Sequence, residues 1–251
     1  MHQAQKYIEN TLRPLAPANK LTNVSLGAAQ ATSLQLALKK DAEGYLYSGV
    51  VSIGDAVQAL ERTMYTWATV KLYYALFYLL RNILAERGIV LFYDGTKPFS
   101  WSCKAGQMPV KRDGPTHKVV LKTFREVCPN SILISQPIGS SDALSWMMRL
   151  REEANYTNAK FTEPLPPSHF LKVSEQGIRR TISAYSKDDS FLYAFDPEHA
   201  ILALPIEALK EALSFLSAKG EEIAEDERRY LAGLYFDKAG PLSEMVSLIN
   251  P

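Results

Sequence analysis

Twelve of the fifteen positions from 70 to 84 are apolar or aromatic, and they fall on every side of a 3.6-residue spiral rather than along one stripe. A helix of that kind has no face to offer to water, so it must be surrounded by other elements. The pattern predicts a helix from about 66 to 87 that serves as the central rod of a helical domain. Gly88 stands where a left-handed C′ residue is wanted, and Arg87 complements the negative end of the dipole. Lys71 and Arg81 bracket the purely apolar stretch well short of the roughly 20 residues that a bilayer requires. The expectation is a protein that does not enter the membrane.

A rod buried on all sides needs enough chain to cover it. With 251 residues, 47% of them hydrophobic and 22% charged, the chain can bury roughly 70–75% of its unfolded surface, and disordered, collagenous and disulfide-scaffold classes are excluded. Before the rod, the periodicity predicts helices at about 2–13, 22–39 and 48–62. After it, the period changes. Apolar residues 89–93 lead into Asp94-Gly95 and then residues 96–101, which predicts a β-hairpin on a type I′ turn. Pro98, Gly106 and Pro109 make the excursion an edge feature. Further helices are predicted at about 116–127, 141–157, 169–185, from Pro205 to about 219, and near 221–235 and 241–249.

The familiar chemical motifs are missing. Gly44, Gly49 and Gly54 imitate the spacing of a phosphate loop, but Val50 and Val51 stand where Lys and Ser/Thr are needed. There is no G-x-G-x-x-G after a strand, no G-x-S-x-G and no H-E-x-x-H, and His2, His117, His169 and His199 are too scattered to pair on one helix. No metal and no cofactor is expected. Cys103 and Cys128 form no C-x-x-C, and the N-terminal residues carry no secretory pattern, so the expected setting is the reducing cytoplasm.

Two polar residues interrupt the apolar stripe of the 141–157 helix. At 100° per residue, Leu144, Met147 and Met148 define the inward face, and Arg151 and Asn155 fall in its middle. A guanidinium there needs compensation. It binds a carboxylate or helix-end carbonyls, or else it lines a groove and meets phosphate. His117 lies on the apolar face of its own helix, where the positive end of the dipole favours a neutral ring. It is either a satisfied buried histidine or, if it faces Arg151, an acid/base partner.

The run 67–81, centred on Tyr73-Tyr74-Ala75-Leu76-Phe77, resembles the second long helix of HEPN (higher eukaryotes and prokaryotes nucleotide-binding) domains. Residues 116–122 and 149–156 are similar to that family's third and fourth helices, and the resemblance covers about residues 45–185. It implies an all-α, HEPN-like helical bundle over 1–186, with a small β-hairpin insertion around 89–110 and a C-terminal helical extension over 187–251. Many members are metal-independent ribonucleases that carry Arg, four to six residues, then His at a dimer cleft. Arg151 matches the Arg, but Tyr156 occupies the His position, and neither Thr157 nor Asn158 restores it. Tyr is a poor base near neutral pH. Members lacking the pair resemble accessory subunits of bacterial antiviral defence complexes, so the resemblance implies partner proteins and a homo- or hetero-oligomer. The alternative is a toxin-like endoribonuclease using Arg151 with Asn155, Tyr156 or His117.

The net charge of +1 hides a local imbalance. Between 97 and 125 stand Lys97, Lys104, Lys111, Arg112, Lys118, Lys122 and Arg125 against one acid, Asp113. A solvated face explains such a run, and so does a DNA- or RNA-binding surface, because Phe99, Trp101 and Phe124 interleave with the cations and rings of this kind stack bases. Residues 221–227 hold five acids, read either as the dipole-favoured start of a helix or as a docking surface for a basic partner or a second copy.

Overall fold

The computed structural model describes residues 2–16, 20–157 and 159–250. These are mostly helical, with small antiparallel sheets. In chain order they form α1 (Gln3–Tyr7), which winds on through a π-turn and a 3-10 turn to Leu15, then α2 (Ala28–Glu61) and α3 (Tyr65–Glu86). Strands β1 (Ile89–Asp94), β2 (Lys97–Ser102) and β3 (Val110–Lys111) follow, then α4 (Thr116–Val127), β4 (Pro137–Ile138), β5 (Ser141–Asp142) and α5 (Ala143–Glu152). The remainder is α6 (Leu171–Gln176), α7 (Ile178–Ser186), α8 (Ala200–Lys219), α9 (Glu225–Ala232), β6 (Phe236–Asp237), β7 (Gly240–Pro241) and α10 (Ser243–Ile249). Among the described residues no helix is long and apolar enough to cross a membrane.

The chain forms two compact units, one of residues 1–45 and 80–129, the other of residues 46–79 and 130–251. Residues 187–251 therefore belong to the same unit as 130–186. α3 is buried nearly all round, as its composition requires; Lys71, Tyr74, Tyr78 and Arg81 form one partly exposed stripe at helical spacing, with Trp67 exposed near the start and Glu86 partly exposed at the end. Gly88 ends it with φ +74, and a Cβ there would lie 2.9 Å from Gln35 Oε1.

The separate helices expected at 22–39 and 48–62 are one continuous α2, which starts at Ala28 rather than at 22 and has residues 28–45 in the first unit and 46–61 in the second. Residues between them that sequence periodicity left out face inward: Ala42, Tyr45 and Asp41 are all buried. The Asp41 carboxylate accepts the N–H groups of Gln3 (2.7 Å) and Ala4 (2.9 Å), capping α1, and the Asn82 amide donates to the Ala42 carbonyl at 2.9 Å. The predicted hairpin is present, with Ile89 opposite Ser102 and Asp94 opposite Lys97. Its turn differs from the expected type I′. Only Gly95, at φ +62, has a positive φ, the pattern of type II′, because β-branched Thr96 resists the left-handed region that type I′ demands of both central residues. β1 is an edge strand, and the Gln5 amide covers it, donating to Tyr93 O and accepting Tyr93 N–H, both at 2.8 Å. α4 spans the predicted residues and buries Val119, Val120, Leu121 and Phe124.

In the second unit, residues 46–61 of α2 pack closely at glycine. A Cβ on Gly49 would lie 2.8 Å from Leu79 Cγ, and one on Gly54 2.7 Å from Leu234 Cβ. The pseudo-motif of glycines is thus a packing device at two of its three positions. The buried Tyr235 hydroxyl donates to the Val50 carbonyl at 2.6 Å. α8 begins at Ala200, five residues before the expected start, and carries Pro205 inside it. Burial of every residue from Ala200 to Leu209 outweighs the hydrogen bond that Pro205 cannot make. The helix expected at 169–185 is interrupted at Gly177, giving α6 and α7. Arg179 on α7 holds the β6–β7 hairpin: its guanidinium binds both carboxylate oxygens of Asp237 (2.6 and 3.0 Å) and the carbonyls of Gly240 and Pro241, each at 2.9 Å. Of the acidic run, Glu225, Asp226 and Glu227 form the first turn of α9, while residues 221–224 precede the helix.

Candidate functional site

Arg151 closes α5 and is partly buried, as its place in the apolar stripe predicts. Its partners are rings rather than a carboxylate. One terminal nitrogen donates to the Tyr74 hydroxyl at 3.0 Å, and the guanidinium carbon lies 5.2, 5.6 and 5.9 Å from the ring centres of Tyr156, Tyr74 and Tyr73. Its Nε is buried without a hydrogen-bond partner. Burial, partly opposed by the Arg151 charge, pushes the Tyr73 hydroxyl far above the usual tyrosine range. That hydroxyl therefore stays protonated and cannot act as a base.

Asn155 departs from its expected place. Residues 153–157 wind as a π-turn, so the 100° count fails beyond Glu152 and Asn155 rotates out to solvent, its amide donating to the Arg151 carbonyl at 3.1 Å. Tyr156 is 74% exposed while its ring covers Arg151. Thr157 is exposed, and Asn158 lies outside the described residues. His117 is half-buried in the first turn of α4 and belongs to the first unit, whereas Arg151 belongs to the second.

The basic segment divides into two parts. Lys97, Lys104, Lys111, Lys118 and Lys122 are exposed and make no ion pair among the described residues. Lys97 and Lys111 lie on the sheet face of Phe99 by register, and Lys118, Lys122 and Arg125 share one face of α4. Arg112 is engaged: its Nε donates to Ser100 Oγ at 2.8 Å and it pairs with Glu126, an acid one residue beyond the basic window. The rings do not serve as expected. Phe99, Trp101 and Phe124 are only 5%, 1% and 0% exposed, and Trp101 Nε1–H donates to the Gln107 carbonyl at 3.0 Å. They form the core under the hairpin and α4, so none offers a face on which a base could stack.

Sequence reasoning missed a cleft of about 280 Å³ in the second unit. Its floor is the start of α3, with Thr66 and Thr69; one wall is α5 and the following turn, with Trp146, Arg149, Leu150 and Glu153; the other is formed by residues 160–162 and 167–169 with Pro197. Glu163 pins that second wall to the helix start, its carboxylate accepting both Thr66 N–H (2.7 Å) and Thr66 Oγ1 (2.8 Å). Thr69 Oγ1 donates its one proton to the Tyr65 carbonyl at 2.9 Å, so it accepts from His169 Nε2–H at 3.2 Å. That assigns the tautomer and leaves Nδ1 as the lone-pair nitrogen. Burial, reinforced by the nearby Arg149 charge, lowers the His169 pKa to about 4. The ring is neutral at physiological pH. Arg149 pairs with Glu153 at 2.8 Å, while Lys160 is exposed and makes no ion pair among the described residues.

No signal in the chain could have assembled this cleft from local pattern, because Thr66 and Glu163 stand 97 residues apart, and Thr69 and His169 stand 100. Among the described residues no cluster of three or more His, Cys, Asp or Glu could hold a metal ion. No protein-family model matches the chain, and neither a curated protein nor a solved structure is similar to it.

Proposed function

We propose that the protein is a non-catalytic, HEPN-like accessory subunit of a bacterial multi-component defence complex, binding nucleic acid through the exposed lysines of its first unit and other subunits through other residues. The observation that carries the reading is the set of five exposed lysines, Lys97, Lys104, Lys111, Lys118 and Lys122, without ion pairs among the described residues. Cations that no carboxylate neutralises are free to replace the counterions of a phosphate backbone. With the rings buried, recognition rests on charge and is indifferent to sequence. The tyrosines around Arg151 support a role without chemistry at that residue, since its charge is already shared among three rings and Tyr156 supplies no base. The exposed acids of α9 suit a basic partner subunit.

The test is binding of a labelled mixed-sequence duplex across a salt series. The expected log–log slope is about −0.9 per phosphate neutralised, and Lys118→Glu with Lys122→Glu should reduce it by about two phosphates. A flat salt response would remove nucleic acid from the reading. Labelled RNA incubated with the protein in EDTA should remain intact; cleavage abolished by Arg151→Ala would instead establish the ribonuclease.

A further inference from the structure

The cleft between α5 and the 160–169 segment plays no part in that reading, yet its chemistry is specific. Three features constrain an occupant. The first is charge: Arg149 is matched by Glu153, while Lys160, also on the lining, has no carboxylate among the described residues. A ligand that meets Lys160 carries negative charge. The second is the hydrogen-bonding sense of His169. With Nε2–H committed to Thr69, the remaining ring nitrogen only accepts, and it is not among the buried atoms left without a partner. It remains open to a donor N–H or O–H. The third is the apolar lining. Trp146, Leu150 and Pro197 contribute to the walls, and Phe161, half-exposed, stands edge-on to Trp67 with ring centres 6.0 Å apart. Its volume is at the small end for ligand pockets, suited to one ring system with one acidic substituent.

We infer that this cleft is a binding site for a small aromatic anion, a ring bearing an N–H or O–H donor and one carboxylate or phosphate. The ring packs against Trp146 and Phe161, the donor meets His169 Nδ1, and the anionic group is held by Lys160 with Arg149 beside it. Thr66 is not available to the anion, because the Glu163 carboxylate already occupies the start of α3. Carboxylate and phosphate ligands share this chemistry and come from different sources, aromatic acids in one case and mononucleotides in the other.

The experiment is calorimetric titration of the full chain with 4-hydroxybenzoate, anthranilate, adenosine monophosphate and, as a control lacking a ring, inorganic phosphate. Saturable binding of at least one ring-bearing anion is expected, with a shift of the His169 ring ¹⁵N resonance and no comparable affinity for phosphate. A response only to the aromatic acids, or only to the nucleotide, assigns the source. Lys160→Ala should weaken binding about tenfold or more, the range of one charge-assisted hydrogen bond, and His169→Phe should remove the resonance and weaken binding as well. Lys160 is exposed, so its variant should keep the wild-type unfolding midpoint and separate lost binding from lost folding. Lys118→Glu with Lys122→Glu should leave the calorimetric signal unchanged, which distinguishes this site from the nucleic-acid surface. Absence of binding by every ring-bearing probe, or binding insensitive to both Lys160→Ala and His169→Phe, would overturn the inference.

Discussion

Glu163 and Thr66 meet through two hydrogen bonds across 97 residues of chain, the carboxylate receiving the backbone N–H at 2.7 Å and the hydroxyl at 2.8 Å. A side chain from a distant loop thus does for α3 what a local N-cap residue does elsewhere. Glu163→Ala should cost about 1–3 kcal/mol, since it leaves an orphaned helix-start donor and frees the segment that walls the cleft. Chemical denaturation measures the loss. Faster amide exchange confined to residues 160–165 and the first turn of α3 would locate it.

His169 predicts a pH dependence. Its pKa falls from an ordinary 6.5 to about 4 on folding, so the unfolded chain binds the proton more tightly. The neutral ring's contribution is complete above pH 6.5 and is lost as pH falls from there toward 4. The loss amounts to at most about 3 kcal/mol. His169→Phe should flatten the stability profile across that window, and a resonance titrating near 6.5 in the folded protein would contradict the assignment.

At lower pH the C-terminal segment should respond separately. The Ser183 hydroxyl and backbone and Lys187 hydrogen bonds hold the Glu244 carboxyl down at about 2, and the Arg179 hydrogen bond holds Asp237 below its usual range. Both are depressed on folding, so both stabilise above the ordinary carboxylate pKa and lose that contribution as pH falls from about 4.5 toward 2. Exchange of the α10 and β6–β7 amides should accelerate over that interval. Arg179→Ala should remove Asp237's share of the effect while leaving that of Glu244.

The three helical glycines separate two explanations that sequence alone leaves mixed. Gly54→Ala places a methyl 2.7 Å from Leu234 Cβ, and Gly49→Ala places one 2.8 Å from two carbons of Leu79, so each should destabilise by about 1–3 kcal/mol. A methyl on Gly44 meets nothing within 4 Å. Gly44→Ala should therefore stabilise the protein by about 0.5–1 kcal/mol through helix propensity alone. Thermal unfolding midpoints of the three variants decide the matter.

What was legible in the sequence is what local period and turn chemistry encode. The all-apolar rod of α3, the stop at Gly88, the hairpin and the limits of α4 follow from residues within one or two turns of each other. The continuity of α2 did not, because Asp41 and Asn82 satisfy groups far along the chain, and polarity read locally looks like a loop. Arg151 was recognised as needing compensation, but its solution with Tyr73, Tyr74 and Tyr156 depends on helix contacts and a π-turn that no periodic count anticipates. The interleaved rings of the basic segment follow the same rule in reverse. Alternation of cation and aromatic is the signature of a half-buried hairpin as much as of a stacking platform, and here the rings went inward.

Burial of Trp101 supplies a spectroscopic label that needs no chemistry. The chain has three tryptophans, and Trp101 is the one in the first unit, while Trp67 and Trp146 stand in the second. Trp101 is sealed at 1% exposure and Trp67 is 42% open, so their indoles report apolar and aqueous surroundings at different emission wavelengths. Replacing Trp67 and Trp146 with Phe leaves one indole that, excited selectively over the thirteen tyrosines, follows the hairpin-bearing unit alone, and the reciprocal Trp101→Phe protein follows the other. Two melting curves, one from Trp101 and one from Trp67 with Trp146, then tell whether the units unfold together or in sequence.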